Sequence, residues 1–320
     1  MALRARSALL AERPGLAAQL GDEVLGSASR LHVAMYSPSG QAVSKAICFL
    51  FPDGHDEPVA VVKAMAEPRF SGRLRSESEL LASIRERVAH DSRVAAGLPP
   101  APLFAGERAA EFILAEPFDT LGAAVGSGTR EEAQHWLRAF QAASCTRRHP
   151  WDADDDRWAL DLARDSWRLA GRATEDAVVA RLRALLAPLR GATVPRCAVH
   201  ADFWHGNIAS CGGAVRIFDW EWARLEGTPL FDLWTYDIAE LRIRARAGDR
   251  ALDESLRSAL RRVEDELRLR GLDERLALAT LAPVLGALSF RVRRRLGMPD
   301  EMEQPSIAVM EAAEPLLLSD

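Results

Sequence analysis

Residues 199–221 read VHADFWHGNIASCGGAVRIFDWE, and their reading decides the fold. Histidines, aspartates, an asparagine and several aromatic rings surround a Cys211-Gly212-Gly213 turn. That mixture is too polar for a core strand and too aromatic for a solvated loop. The segments "GNIAS" and "AVRIFDW" lie on either side of the glycines and predict a β-hairpin. A hairpin brings its two ends together in space while keeping them apart along the chain. Asn207 precedes the first strand and Asp219 leaves the second, so both can converge with Asp202 on one region. A carboxylate and an amide oxygen suit a hard cation such as Mg²⁺, which takes one or two protein oxygens and leaves room for phosphates. Asp202 is then free to accept a proton from an attacking hydroxyl.

Upstream of this segment the chain changes character near residue 120. "RLHVAMYS", "SKAICFLF" and "PVAVVKAM" read as three strands separated by turn-forming "PSGQ" and "PDGHDE". A helix follows over "RLRSESELLASIRERVA", with Leu74, Leu81, Ile84 and Val88 near one face. "APLFAG" and "EFILAEPF" supply two further strands. After Thr120 the period is helical except for "VPRCAVH" and the hairpin, and from Asp232 onward the chain reads almost wholly as helix. The expected division is a helical extension over 1–30, a strand-rich N-lobe with one helix over 31–119, and a larger, mainly helical C-lobe over 120–320.

Bulk properties exclude several classes. With 320 residues, 48% hydrophobic and 27% charged, the chain has ample material for a folded core. A net charge of −5 argues against a nucleic-acid binder built on a broad basic surface. The longest uncharged run, Leu276 to Phe290, carries Pro283 and falls short of the roughly 20 apolar residues that a membrane-spanning helix needs. A buried helix is expected there. Glu12, Arg13 and Pro14 interrupt the N-terminal apolar run before it forms a signal-peptide core. The four cysteines include no Cys-x-x-Cys pair, which points to a reducing cytoplasm rather than a disulfide framework or zinc site.

The order Asp202-x-x-x-x-Asn207 followed by Asp219 resembles the catalytic core of the aminoglycoside phosphotransferase and choline kinase family, relatives of the protein kinases. The resemblance implies an α+β, two-lobed protein-kinase-like fold, with ATP and Mg²⁺ as cofactors and a small-molecule hydroxyl as acceptor. Neither nucleic acid nor membrane is an expected partner. It implies Asp202 as the catalytic base and Asn207 and Asp219 as metal ligands. Lys63 in "PVAVVKAM" takes the place of the strand lysine that holds the nucleotide phosphates. This is one of only two lysines in the chain, the other being Lys45. Glu77 is the helix glutamate expected to pair with Lys63, with Glu79 as the competing choice. Glu116 to Phe118 form the linker whose backbone would receive the adenine, and Gly40 lies in the turn that would cover the phosphates. Asp232 in "PLFDLW" corresponds to the aspartate that anchors the catalytic loop, and His200 is read as its buried structural companion.

Three positions depart from the family pattern. No Gly-x-Gly-x-x-Gly is present, Ala201 stands where glycine is usual, and Asp219-Trp220-Glu221 replaces Asp-Phe-Gly. Glu221 thereby becomes a residue for the substrate or a second metal. Two other classes compete with the phosphotransferase. His200, Asp202 and His205 mimic the ligand set of a metal-dependent hydrolase. A non-catalytic nucleotide-binding relative would share the fold without the chemistry. The acidic run "WDADDD" (151–156) fits a cationic-substrate pocket or, more simply, the cap and first turn of a helix starting near Arg157.

Overall fold

The computed structural model describes residues 31–36, 45–65, 67–108, 111–118, 129–211, 214–296 and 304–319. The expected N-terminal extension and Gly40 lie outside them. Chain contacts divide the molecule into two units, Met1–Leu137 with Gly206–Ala223, and Arg138–His205 with Arg224–Asp320.

The first unit is built on a five-stranded antiparallel sheet of order β1-β2-β3-β5-β4. Its strands are β1 (Leu31–Tyr36), β2 (Lys45–Pro52), β3 (Ala60–Met65), β4 (Phe104–Arg108) and β5 (Glu111–Pro117). Alternation sets its faces. Cys48, Leu50, Ala60, Val62, Ile113 and Ala115 form a buried cluster on one side. Lys63 pairs with Ile47 in β2 and with Leu114 in β5, so it shares the opposite face with Lys45 and Glu116. The helix α1 (Gly72–Val88) packs on β3 and β5. Its inward residues are Leu74, Glu77, Leu81, Ile84 and Val88, spaced at helical period. A carboxylate therefore occupies one place in an otherwise apolar stripe. A short helix, α2 (Ser92–Ala96), follows, capped by Asp91, whose side chain accepts from the amides of Arg93 and Val94.

The hairpin of β8 (Ile208–Cys211) and β9 (Ala214–Ile217) groups by chain contacts with this first unit. The reason lies in its bonds. The Ile217 amide donates to the Gly97 carbonyl at 2.9 Å, and the Arg216 guanidinium donates to the Leu98 carbonyl. Gly97 has no room for a side chain, because a Cβ there would lie 1.9 Å from Nε1 of Trp136. Trp136, in α3 (Arg130–Ala143), packs edge-on against the buried Trp220.

In the second unit β7 (Thr193–Val199) is flanked by β6 (Arg147–Pro150) and β10 (Arg224–Gly227), all antiparallel. The helices α4 (Ala153–Leu169), α5 (Glu175–Leu186), α6 (Leu230–Arg246), α7 (Leu252–Leu269), α8 (Leu276–Leu296) and α9 (Gln304–Leu318) form the rest. Leu230 through Ile238 of α6 are buried without interruption, which makes it the central helix. α8 contains Pro283 and is buried over most of its described length, as expected for that uncharged run. Among the described residues no helix is long and apolar enough to cross a membrane.

α4 begins at Ala153, earlier than the start near Arg157 read from sequence. Asp152 caps it, accepting from the amides of Asp154 and Asp155, while Asp155 reaches back to the amide of Asp152. Asp155 also receives Arg196 at 2.6 Å, and Asp156 receives the Trp151 indole N–H and Arg190. The acidic run is therefore a helix start tied to its surroundings. A group of His149, Asp152 and Asp155 with metal-ligand spacing lies within this cap.

Candidate active site

In the first unit both lysines point at carboxylates. Lys63 Nζ lies 2.7 Å from Glu116 Oε2 and 3.8 Å from Glu77 Oε1. Glu77 is 2% exposed and neither of its oxygens makes a well-aligned hydrogen bond, whereas Glu79 is exposed. The choice between the two glutamates follows from α1: position 77 falls on the apolar stripe and position 79 does not.

Lys45 was not singled out from the sequence, yet it sits in the same cluster. Its Nζ lies 2.6 Å from Asp219, 3.0 Å from Glu77 and 3.2 Å from Glu221. Burial pushes both ammonium groups down, but neighbouring carboxylates outweigh it and hold both above the ordinary lysine range. For Lys45 these are Asp219, Glu77 and Glu221; for Lys63 they are Glu116 and Glu77, with Lys45 opposing. Burial pushes Glu221 upward against the pull of Lys45 and Arg73, and Arg73 bonds Glu221 at 2.8 Å. One ligand oxygen from each of Glu77, Asp219 and Glu221 lies within 4.8 Å of the others.

The hairpin brings Asn207 and Asp219 together as its register requires. Ile208 pairs with Ile217, and the Phe218 amide donates to the Asn207 carbonyl at 2.8 Å. Asn207 is buried, and Asp219 has φ of 62°, a left-handed conformation that costs a non-glycine residue energy. Such strain survives only where surrounding contacts impose it, and it concentrates at working sites.

In the second unit the segment after β7 carries His200, Ala201 and Asp202. The Asp232 carboxylate on α6 accepts from the His200 amide at 2.9 Å and from the Ala201 amide at 2.7 Å. Burial pushes the Asp232 carboxyl above the usual carboxylate range, with His200 and the two amides opposing. His200 is fully buried; its Nδ1 accepts from the Asp202 amide at 3.2 Å, and its ring meets Phe203 edge-on. The Asp202 side chain is half-buried. The hydrolase reading loses its ligand set here: His200 turns a ring nitrogen to the backbone, and His200, Asp202 and His205 do not form a metal-spaced group among the described residues.

Ala201 has φ of 61°, where the family's usual glycine is free of strain. Left-handed geometry costs an L-residue about 1–2 kcal/mol, and glycine gives back about 0.4–1 kcal/mol through the unfolded chain. Ala201→Gly should therefore raise stability by up to about 1 kcal/mol, read as a higher urea midpoint at unchanged slope.

Other expected positions are placed as follows. Glu116 lies in β5 opposite Val61, with its side chain on Lys63. The Phe118 amide donates to the Val59 carbonyl at 2.9 Å, so the ladder already engages this linker amide. A cavity of about 170 Å³ opens in the second unit beside Ala201, lined by Trp151, Trp158, Arg196, Arg224, Glu226 and Phe231 among others. No local sequence pattern marks it, because its lining is gathered from α4, β7, β10 and α6, which lie far apart along the chain.

No curated protein matches the chain. Among solved structures, a thermostable mutant of aminoglycoside phosphotransferase APH(4)-Ia aligns with a TM-score of 0.52, covering 94% of this chain and 98% of that one at 16% identity. A choline/ethanolamine kinase family protein from Mesorhizobium loti aligns at 0.52, covering 96% and 95% at 14% identity. A glucosamine kinase bound to glucosamine, ADP and inorganic phosphate aligns at 0.50, covering 95% and 86% at 16% identity. These likenesses establish the two-lobed, protein-kinase-like α+β fold. A sequence profile of the phosphotransferase enzyme family matches residues 54–274, a span holding β3 with Lys63, the Asp202 segment and the whole hairpin. With more than half of its length matched, the chain belongs to the phosphotransferase enzyme family.

Proposed function

We propose that the chain transfers the γ-phosphate of ATP to a hydroxyl of a small molecule in a Mg²⁺-dependent reaction. The observation that carries this is the convergence of Lys63, the buried Glu77 and the hairpin aspartate Asp219 in one unit. Family membership supports phosphotransfer, and the residues supply its parts. Lys63 is a compact charge for the nucleotide phosphates, and Glu77 limits its reach.

The donor set fits a hard cation: Asp219 and Glu221 offer carboxylate oxygens, Asn207 offers an amide oxygen, and the cluster has no sulfur or imidazole. Asp219 and Asn207 would hold the metal, with Glu221 beside them. A bound Mg²⁺ would neutralise charge on the phosphate oxygens. Asp202 orients the acceptor hydroxyl and accepts its proton as the acceptor oxygen bonds to the γ-phosphorus. The bond from that phosphorus to the β–γ bridging oxygen breaks, and ADP leaves. Catalysis is then positioning and charge neutralisation.

The acceptor enters the cavity beside Ala201. At about 170 Å³ it matches a single ring, since a cavity near 150 Å³ accommodates benzene. Its mixture of tryptophan, arginine and glutamate suits a polar ring that carries both apolar faces and hydrogen-bonding groups. Among the structural neighbours, one crystallised with glucosamine and another with hygromycin B, which sets the range of compounds to try.

Acceptor-stimulated ADP release, screened over amino alcohols, amino sugars and aminoglycosides, tests the proposal. Single-ring amino sugars or amino alcohols should stimulate release, and Trp158→Ala should raise the acceptor KM about fivefold by removing an aromatic contact worth ~1 kcal/mol. ATP binding without release under any acceptor would favour a non-catalytic nucleotide binder instead.

A further inference from the structure

We propose that Lys45 and a divalent cation are alternative occupants of one carboxylate cluster, so that Lys45 acts as a resident counter-ion that the nucleotide phosphates draw away. The inference rests on reading Asp219 as a metal ligand. Three observations carry it.

The first is position. The Lys45 ammonium lies 2.6 Å, 3.0 Å and 3.2 Å from Asp219, Glu77 and Glu221, the same three residues whose oxygens have metal-ligand spacing. A cation held by these oxygens at about 2.1 Å would need the space that the ammonium fills.

The second is unfinished pairing. Glu77 is 2% exposed, and its oxygens make ion pairs without aligned hydrogen bonds. A buried carboxylate of that kind costs energy unless a cation stays near it. Lys45 meets the requirement, and so would a metal.

The third is residue type. The chain has two lysines among 41 basic residues, and the strand register sets both on the face that carries this cluster. Ile47 opposes Lys63, so Lys45 lies two residues along the same face. A compact ammonium fits among three carboxylates whose ligand oxygens lie within 4.8 Å of one another. The planar fork of arginine spreads its donors too widely for that space.

Displaced from the carboxylates by Mg²⁺, Lys45 meets the phosphates from the same sheet face as Lys63. Metal capture then depends on the nucleotide: phosphates give the ammonium somewhere else to go, and the metal takes the vacated oxygens. No bond is made or broken in this exchange.

Calorimetric titration of the nucleotide-free protein with Mn²⁺ tests it. Lys45→Met, neutral and similar in volume, should bind Mn²⁺ at least tenfold more tightly than wild type, and adding Asp219→Asn to that variant should abolish the gain. Equal or weaker Mn²⁺ binding by Lys45→Met overturns the inference. Should that variant fold poorly, wild type gives the second measurement through acylation of its two lysines, resolved by mass spectrometry. Saturating Mn²⁺ should speed Lys45 modification severalfold relative to Lys63, and an unchanged ratio overturns it. ADP release by wild type across the panel of amino alcohols, amino sugars and aminoglycosides separates the cases: an active enzyme with unchanged Mn²⁺ behaviour sinks only the Lys45 exchange, whereas inactivity with every compound sinks the phosphotransfer reading.

Discussion

Asp202→Asn should lower acceptor phosphorylation by about 10²–10⁴-fold, the range expected for loss of a positioned base. The amide keeps the size of the carboxylate but cannot take the hydroxyl proton. The surrounding loop should hold its shape, because its backbone amides stay anchored. The Asp202 amide donates to His200 Nδ1, and Asp232 holds the amides of His200 and Ala201. Nucleotide affinity should therefore stay near that of wild type, so kcat falls while the KM for ATP changes little. Turnover within threefold of wild type would remove Asp202 from the catalytic role. Equal losses in turnover and ATP binding would make it a binding or folding residue.

Asp219→Ala should give the other large effect, at an earlier step. If Asp219 holds the metal as proposed, removing this carboxylate leaves the nucleotide phosphates without their cation, and Mg·ATP binding should be lost. A ligand present at 100 times its Kd stabilises the folded state by about 2.7 kcal/mol. The melting temperature of wild type should thus rise by several degrees with Mg·ATP, and that of the variant should not move. The unliganded fold should survive, because Lys45 keeps its ion pairs to Glu77 and Glu221. A full Mg·ATP shift in Asp219→Ala would show that the metal is held elsewhere.

Much of this was legible in the sequence, for reasons that can be named. β1 to β3 announce themselves by alternation between turn signals, and α1 by apolar residues at helical spacing. The hairpin is written by two glycines between apolar runs, and its register then places Asn207 against Phe218 without further information. β6 and β10 were invisible because Arg147-Arg148-His149-Pro150 and Arg224-Leu225-Glu226-Gly227 are polar and form strands only through pairing with β7. Lys45 was missed for a related reason. Its place on the face of Lys63 depends on the β2–β3 register, which no local pattern states. The rarity of lysine in this chain was the one available signal. The grouping of the hairpin with the sheet unit was equally hidden, since it arises from contacts of Arg216 and Ile217 with Leu98 and Gly97, far away along the chain.

The close approach at Gly97 has a consequence for how the site comes into being. Its carbonyl grips the strand that ends two residues before Asp219, while the indole of Trp136 leaves no space for the turn to swell. Fluctuations that loosen the hairpin must therefore loosen the end of α2 as well. Breathing of the strand that leads to Asp219 is suppressed on its own, so that carboxylate is held in a pre-set position, sparing any cation it binds the entropy of ordering a loop.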